Sequence, residues 1–317
     1  MTDAPLPDTP APRTPSLIAR AIDSDIFYSF RRSRLTMVAA AIVFVLLMMA
    51  LFAPLLVVQN PFDPAQLELI NSRISPLWTA EGQRPFLLGT DEQGRDIYSA
   101  ILYGMRISLV VGVLGVSFAA VLGIGLGLIA GYVGGAVDSL IMRIADVQLT
   151  FPAILIALLI DGVVKSALGN HLDASTTLIV LVVAIGLSFW VQYARTVRGS
   201  VMVEKNKDYV AAAQLIGLPA RVIMIRHVLP NTMGPILVIA TINLALAIIT
   251  EATLSFLGSG MPDTMPSLGT LIRIGNNYLF SGEWWVIAFP GLALASLILS
   301  INLLGDWLRD ALNPKLQ

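Results

Sequence analysis

The sequence predicts an all-α integral membrane protein with six transmembrane helices and both termini in the cytoplasm. Three observations carry this. First, 56% of the 317 residues are hydrophobic and 13% are charged, with mean hydropathy +0.78. A soluble domain has roughly 45–50% apolar and about 25% charged residues. Second, the apolar residues gather into charge-free runs long enough to cross hydrocarbon, which takes about 20 residues. Third, basic residues alternate in density from one connecting segment to the next, as the positive-inside rule requires. A net charge of −1 gives no field for gripping nucleic acid. The lack of cysteine excludes a disulfide framework, thiolate metal ligation and a thiol nucleophile.

Taken in order, residues 1–35 read as a cytoplasmic tail. Pro5, Pro7, Pro10, Pro12 and Pro15 make its start a disordered stretch. No cleavable signal peptide is expected, because the first apolar run lies too far in and is too long for a signal h-region. Residues 25–34 read as a basic anchor for the first span, through Arg31, Arg32 and Arg34. The alternative is a short helix on the inner surface with Ile26, Phe27 and Phe30 in the interface. Spans are expected at 37–58, 107–137, 174–194, 228–250 and 284–305. A shorter run at 147–160 makes a sixth if 141–145 and 162–164 extend it. Pro54, Pro152, Pro235 and Pro290 lie in or near these runs, where neighbouring helices can satisfy the freed carbonyls. With six spans and the N-terminus inside, fourteen of the twenty basic residues fall on the cytoplasmic side. Dropping the short span would move the basic 195–226 stretch outside. The organisation is then a first helix (36–58), an external loop (59–105), a core of five spans (106–310) with a cytoplasmic loop at 195–231, and a tail (311–317).

The second span carries Gly115, Ala119, Gly123, Gly127, Gly131 and Gly135 at spacing four. Small residues let helix backbones approach closely in a membrane, either within the chain or across a subunit interface. The 195–231 loop predicts a helix–glycine–helix elbow. Asp208 is placed to N-cap a helix over 209–216, Gly217 to end it in the left-handed conformation, and Pro219 to forbid its continuation. A second helical segment over 220–228 places Val222, Ile225 and Leu229 on one side and leads to Pro230 and Asn231. Ala211, Ala212 and Ala213 would project from the first helix as a surface able to enter a groove on another protein; the alternative is a plain linker.

The ionisable residues have local readings. Asp146 pairs with Arg143, and Asp161 is solvated. Asp306, Arg309 and Asp310 form a solvated, salt-bridged helix end, and 90–96 is a helix-starting turn. Glu251 closes the fifth span at its outer side, where it either pairs with a neighbouring helix or faces a translocation path and a solute ammonium.

Tyr209-Val-Ala-Ala-Ala-Gln-Leu-Ile-Gly217, followed by Ile225-Arg-His-Val-Leu-Pro-Asn231, resembles the coupling-loop signature of ABC importer permeases. Leu88-Gly-Thr-Asp-Glu-Gln-Gly-Arg-Asp96, Glu251-Ala-Thr-Leu-Ser-Phe-Leu-Gly258, Pro266-Ser-Leu-Gly269 and Asn302-Leu-Leu-Gly-Asp-Trp-Leu-Arg-Asp310 are similar to the C-type permease subunit of dipeptide, oligopeptide and nickel importers. Arg31-Arg-Ser-Arg34 and the first span are similar to that subfamily's N-terminal extension. The resemblance runs in order from about Ile26 to Pro314.

The resemblance implies a type I ABC importer permease fold in a bacterial inner membrane. It also implies a sister permease forming a heterodimer with this chain, two ABC ATPase subunits gripping the elbow, and an extracytoplasmic solute-binding protein. ATP and Mg would be used by the ATPase subunits, with no cofactor on this chain. Di- or oligopeptides are the implied solutes, with nickel or another small solute as the alternative. The chain departs from the family at Ala211, which stands where the signature has Glu. With Asp208 as N-cap, that position is the third of the helix, so the missing carboxylate would forfeit a capping box and roughly 0.3–1 kcal/mol of dipole interaction.

Absences narrow the reading. No P-loop motif occurs. His171 and His227 are expected on opposite sides of the membrane, which excludes a histidine-based protease or zinc site; His227 reads as an interfacial structural residue. An ATP-independent secondary transporter would show a repeat between its halves and a midplane ion site, and neither is legible.

Overall fold

The computed structural model describes residues 25–169 and 173–312. The predicted disordered stretch at 1–15, His171 and residues 313–317 lie outside them. Among the described residues the regular structure is helical, with no β-strand. Five helices are long and apolar enough to cross a membrane, and the count is six if a bent helix pair is taken as one span.

Helix α1 (Asp25–Arg32) is separate from α2 (Arg34–Leu51), because Ser33 takes an extended backbone and caps the Thr36 N–H. Phe30 meets Trp307 edge-on at 5.2 Å. The first span stops at Leu51 rather than residue 58. Phe52 breaks it, and Pro54 starts a single further turn, Ala53–Leu56. Helix α2 is mostly unburied and packs through Val43, Leu46 and Ala50.

Helix α3 (Ile97–Val133) has 37 residues, starting ten before the predicted span. At 1.5 Å per residue it is about 55 Å long, well beyond the roughly 30 Å of hydrocarbon. The Asp96 carboxylate starts it by accepting from the Ser99 N–H at 2.8 Å. It ends at Gly134, whose φ of 72° belongs to no right-handed helix. Where the third span is expected the chain forms a pair of helices, α4 (Gly135–Leu149) and α5 (Ala153–Leu168), bent by 94°. Pro152 lacks an N–H and drives the preceding residue out of helical conformation, so a straight span over 147–160 cannot form.

Helix α6 (Ala174–Glu204) follows, then the elbow with α7 (Asp208–Leu215), α8 (Met233–Phe256), α9 (Leu268–Tyr278) and α10 (Trp285–Ala311). The 57–96 loop and α9 mark one end of the bundle, here the loop end; the chain between α6 and α8 marks the elbow end.

The ladder residues lie along the contact of α3 with α6. A Cβ built on Gly123 would stand 2.3 Å from the Trp190 carbonyl oxygen, one on Gly127 2.4 Å from that of Ala194, and one on Gly131 2.9 Å from that of Arg198. Gly115 faces Ile185 in the same way, and Ala119 is fully buried. Gly135 does not belong to the ladder: it starts α4 with open space around it.

Asp146 binds Arg195 of α6 rather than Arg143, and Asp138 binds Arg198, so two ion pairs fix α4 to α6. Asp161 is buried, not solvated, and pairs with Lys165 at 2.8 Å. Asp306, Arg309 and Asp310 are exposed, and no ion pair links them among the described residues.

At the loop end, Asp91 holds Arg95 at 3.1 Å. Arg95 donates in turn to the Asp263 carbonyl, and Trp285 Nε1 donates to the Thr90 carbonyl at 3.1 Å. Helix α9 has no counterpart among the predicted segments. Ser267 caps it, and Leu268, Leu271 and Ile274 make its buried face.

Glu251 lies within α8 and is fully buried, so in this chain it faces no open path. Its carboxylate accepts from Ser108 Oγ of α3 and Ser255 Oγ of α8, each at 2.7 Å. Ser108 Oγ also accepts from the Leu268 N–H at the start of α9. Three helices therefore meet on one acid. Glu251→Ala is expected to leave the Ser108 and Ser255 hydroxyls without their acceptor, at about 1–3 kcal/mol for each unsatisfied group. Glu251→Gln keeps an acceptor oxygen and should lose less. The measurement is the thermal midpoint of the detergent-solubilised protein; an unchanged midpoint in the alanine variant would remove Glu251 from this role.

Candidate functional site

The candidate site is the elbow between α6 and α8. Because α6 runs to Glu204, Arg195 and Arg198 are helical residues paired with α4, and the connection begins at Lys205 instead of residue 195. Lys205 Nζ donates to the Gly131 carbonyl at 2.7 Å, tying the end of α6 to the end of α3.

The N-cap of α7 is Lys207, in extended conformation; Asp208 is the first helical residue and makes no side-chain cap. Its charge still suits the positive helix end. Ala211 is then the fourth helical residue, so a Glu there would not complete a capping box. The helix closes at Ile216, and Gly217 takes φ 82°. The Gly217 N–H donates to the Gln214 carbonyl at 2.9 Å and the Leu218 N–H to that of Ala213 at 3.2 Å. This paired closure is the left-handed stop expected of a glycine.

After Pro219 the chain makes a short helical turn, Ala220–Val222, a π-helical turn, Ile223–Val228, and a last turn, Leu229–Asn231. Pro230 has no N–H for the carbonyl four residues earlier, and a π-turn is one way to re-satisfy such a group. Its longer residue period changes which side chains share a side. Ile223 and Val228, five apart, are buried, whereas Ile225 is 59% exposed.

A polar clamp holds the two arms together. Tyr209 donates to the Glu204 carboxylate at 2.7 Å, Lys207 pairs with the same acid at 2.7 Å, and Asn231 Nδ2 donates to the His227 carbonyl at 2.6 Å and to the Tyr209 hydroxyl at 3.3 Å. Burial, and next the Glu204 carboxylate, raise the Tyr209 pKa above its ordinary value, so the hydroxyl stays a donor. His227 is half-buried with its Nδ1 unpartnered, and Pro230 is exposed.

The outward surface differs from the one expected. Ala211 and Ala212 are exposed, but Ala213 is buried with Val210 against the bundle. The tip is made instead by Leu215 and Ile216, 89% and 78% exposed, beside Gly217 and Leu218. The sequence pattern gives both only as members of the helix. The legible signal was two large apolar residues directly before a helix-ending glycine, where a chain end seeking solubility would carry polar ones. Among the described residues no group of acids and histidines is arranged to hold a metal.

Comparison with known proteins places this architecture. The family described as "binding-protein-dependent transport system inner membrane component" matches residues 123–317, and the N-terminal transmembrane domain of oligopeptide transport permease C matches residues 24–76. The dipeptide transport system permease protein DppC of Haemophilus influenzae is 35% identical over 317 residues, covering 100% of both chains. The di/tripeptide transport system permease protein DppC of Pseudomonas aeruginosa is 37% identical over 303 residues, 96% of this chain and 95% of that one. The oligopeptide transport system permease protein OppC of Bacillus subtilis is 34% identical over 293 residues, 92% of this chain and 90% of that one. A chain of the inward-facing MetNI methionine ABC transporter shares the fold, with TM-score 0.53 and 18% identity over 68% of this chain and 96% of that chain. The apolar helical bundle, the glycine-closed elbow and these full-length matches agree: the chain belongs to the binding-protein-dependent transport system inner membrane components, the multi-pass permease subunits of ABC importers.

Proposed function

We propose that this chain is one of two permease subunits of an ATP-driven importer of small peptides, and that its elbow is the handle by which the ATPase subunits move it. The observation that carries the proposal is an exposed apolar tip, Leu215 and Ile216, on an arm that cannot swing freely. The Glu204–Lys207–Tyr209–Asn231 clamp and the buried Val210, Ala213, Ile223 and Val228 join it to α6 and α8. A force on the tip therefore reaches both helices. Ala211, Ala212, Leu215, Ile216 and Gly217 form the face that enters the ATPase groove, while Asp208, Tyr209, Ala213, His227, Pro230 and Asn231 set its position.

The distribution of basic residues puts the elbow and both termini in the cytoplasm and the loop end outside, where a solute-binding protein delivers its cargo. A sister subunit completes the path. The ATPase subunits bind ATP and Mg, and their closure shifts the bundle between inward- and outward-facing states. It does so by binding one state of the elbow better than the other, since a ligand moves an equilibrium only by its differential affinity. The peptide cargo follows the dipeptide, di/tripeptide and oligopeptide relatives.

The test is uptake of a labelled dipeptide into proteoliposomes holding the complete transporter and binding protein. Uptake is expected with ATP and absent with a proton gradient alone. Equal uptake on the gradient without ATP would replace this reading with a secondary transporter.

A further inference from the structure

Arg106 is the tenth residue of α3, about 14 Å from its start, and it stands directly before the long charge-free run. Its side chain is exposed, with no hydrogen-bond or ion-pair partner among the described residues. Of the other cations at this end, Arg73 holds Glu283, Arg95 holds Asp91, Lys165 holds Asp161 and Arg273 holds Asp263, while Arg84 stands exposed in the loop and away from the cavity described next.

Arg106 borders a cavity of about 210 Å³ walled by Phe62 of the loop, Tyr103 and Val110 of α3, Leu178 of α6 and Met265 of the segment before α9. Tyr103 and Arg106 are one helical turn apart on the same face. Phe62 meets the Tyr103 ring edge-on at 5.1 Å, and the Tyr103 hydroxyl also lacks a partner among the described residues.

The face that carries Arg106 continues as Val110, Val113, Leu114, Ser117 and Val121, all exposed. The faces beside it are occupied, by α6 along the glycine ladder and by Ser108 on Glu251 and Leu268. An unpaired guanidinium is costly against hydrocarbon, so this face borders water or a charged partner. A planar fork of donors beside a hydroxyl matches a carboxylate, and the remaining walls are apolar and aromatic. The cavity holds the volume of about seven waters, a size suited to the last residue of a small peptide.

We infer that Arg106, with Tyr103 beside it, receives the carboxylate of the transported solute at the loop-end mouth of the pathway. This rests on the peptide-importer reading above. The guanidinium takes the carboxylate while the Phe62–Leu178–Met265 wall takes an apolar side chain, so the site selects solutes with a free acid next to a small hydrophobic group.

The chain contains no cysteine, so Arg106→Cys gives it a single thiol, to be studied in the complete transporter with partner subunits free of reactive cysteines. The thiol is modified with a cationic (aminoethyl), neutral (methyl) or anionic (sulfonatoethyl) methanethiosulfonate. ATP-driven uptake of alanyl-alanine is then measured beside co-purification of the sister subunit. Arg106→Cys is expected to lose about tenfold in uptake, the scale of one charge-assisted hydrogen bond. The cationic adduct should restore most of it, the neutral and anionic adducts none, with co-purification unchanged throughout. Wild-type uptake in the variant, or equal restoration by the neutral adduct, overturns the assignment. So does loss of the sister subunit with the anionic adduct and its return with the cationic one, which would give the carboxylate to that subunit. Absence of ATP-driven alanyl-alanine uptake in the unsubstituted transporter is a separate result, and it overturns the peptide reading itself.

Discussion

Gly217→Pro is expected to abolish co-purification of the ATPase subunits and to reduce transport to background, while the chain still inserts in the membrane. Proline fixes φ near −65° and has no N–H; Gly217 sits at φ 82° and donates to the Gln214 carbonyl. Both features of the turn are lost at once, and the direction in which Leu215 and Ile216 leave the bundle changes with them. Gly217→Ala is the graded control. A Cβ there meets nothing within 4 Å, so the cost is only that of an L-residue in the left-handed region, about 1–2 kcal/mol. The alanine variant should therefore keep the elbow and lose part of its coupling. Membrane-fraction yield checks insertion, affinity pull-down of the tagged chain checks association, and proteoliposome uptake checks coupling. Full association and full transport in the proline variant would mean that the elbow merely links two spans.

The glycine stop was readable because one residue with one conformational property sets it. Much of the remaining elbow was not. Asp208 is a good capping residue, yet Lys207 caps α7, because α6 continues for ten residues past the predicted end of its span and sets where the next helix can begin. A charge-free run marks hydrocarbon, whereas a helix ends only where its hydrogen bonds do; α3 and α6 both outrun their apolar cores for that reason. The α-helical period places Val222, Ile225 and Leu229 on one side, but a π-turn replaces that period and leaves Ile225 exposed while Leu229 is half-buried. Asp146 and Asp161 were read against neighbours in sequence or solvent. Arg195 reaches Asp146 from a helix far along the chain, and burial of Asp161 is a property of the packed bundle. Arg106 was legible only as one basic residue among those outside; its lack of a partner and the cavity beside it exist only once the loop, α3, α6 and the approach to α9 are together.

The largest effect on folding is expected at Gly127, where leucine should prevent recovery of folded protein, while leucine at Gly125 should not. The two positions share a helix and a residue type, so propensity changes equally and only surroundings differ. At Gly127 the new Cβ would lie 2.4 Å from the Ala194 carbonyl oxygen and 2.9 Å from the Ala194 Cα. These are backbone atoms of α6, and they move only if the whole helix does. Overpacking in a core that can shift side chains costs about 1–3 kcal/mol; a clash with backbone has no such outlet. In lipid no hydrophobic drive brings the separated helices back, because close packing is itself what holds them. At Gly125 nothing lies within 4 Å, and an added leucine meets open space. The pair also separates two roles for the ladder. If it seals α3 to α6 within one chain, Gly127→Leu lowers the yield and thermal midpoint of the chain expressed alone. If it seals one subunit to another, the lone chain keeps its midpoint and only the sister subunit is lost. The contacts of Gly115, Gly123, Gly127 and Gly131 with Ile185, Trp190, Ala194 and Arg198 favour the first outcome, and thermal midpoints of the lone chain beside pull-down of the sister subunit decide it.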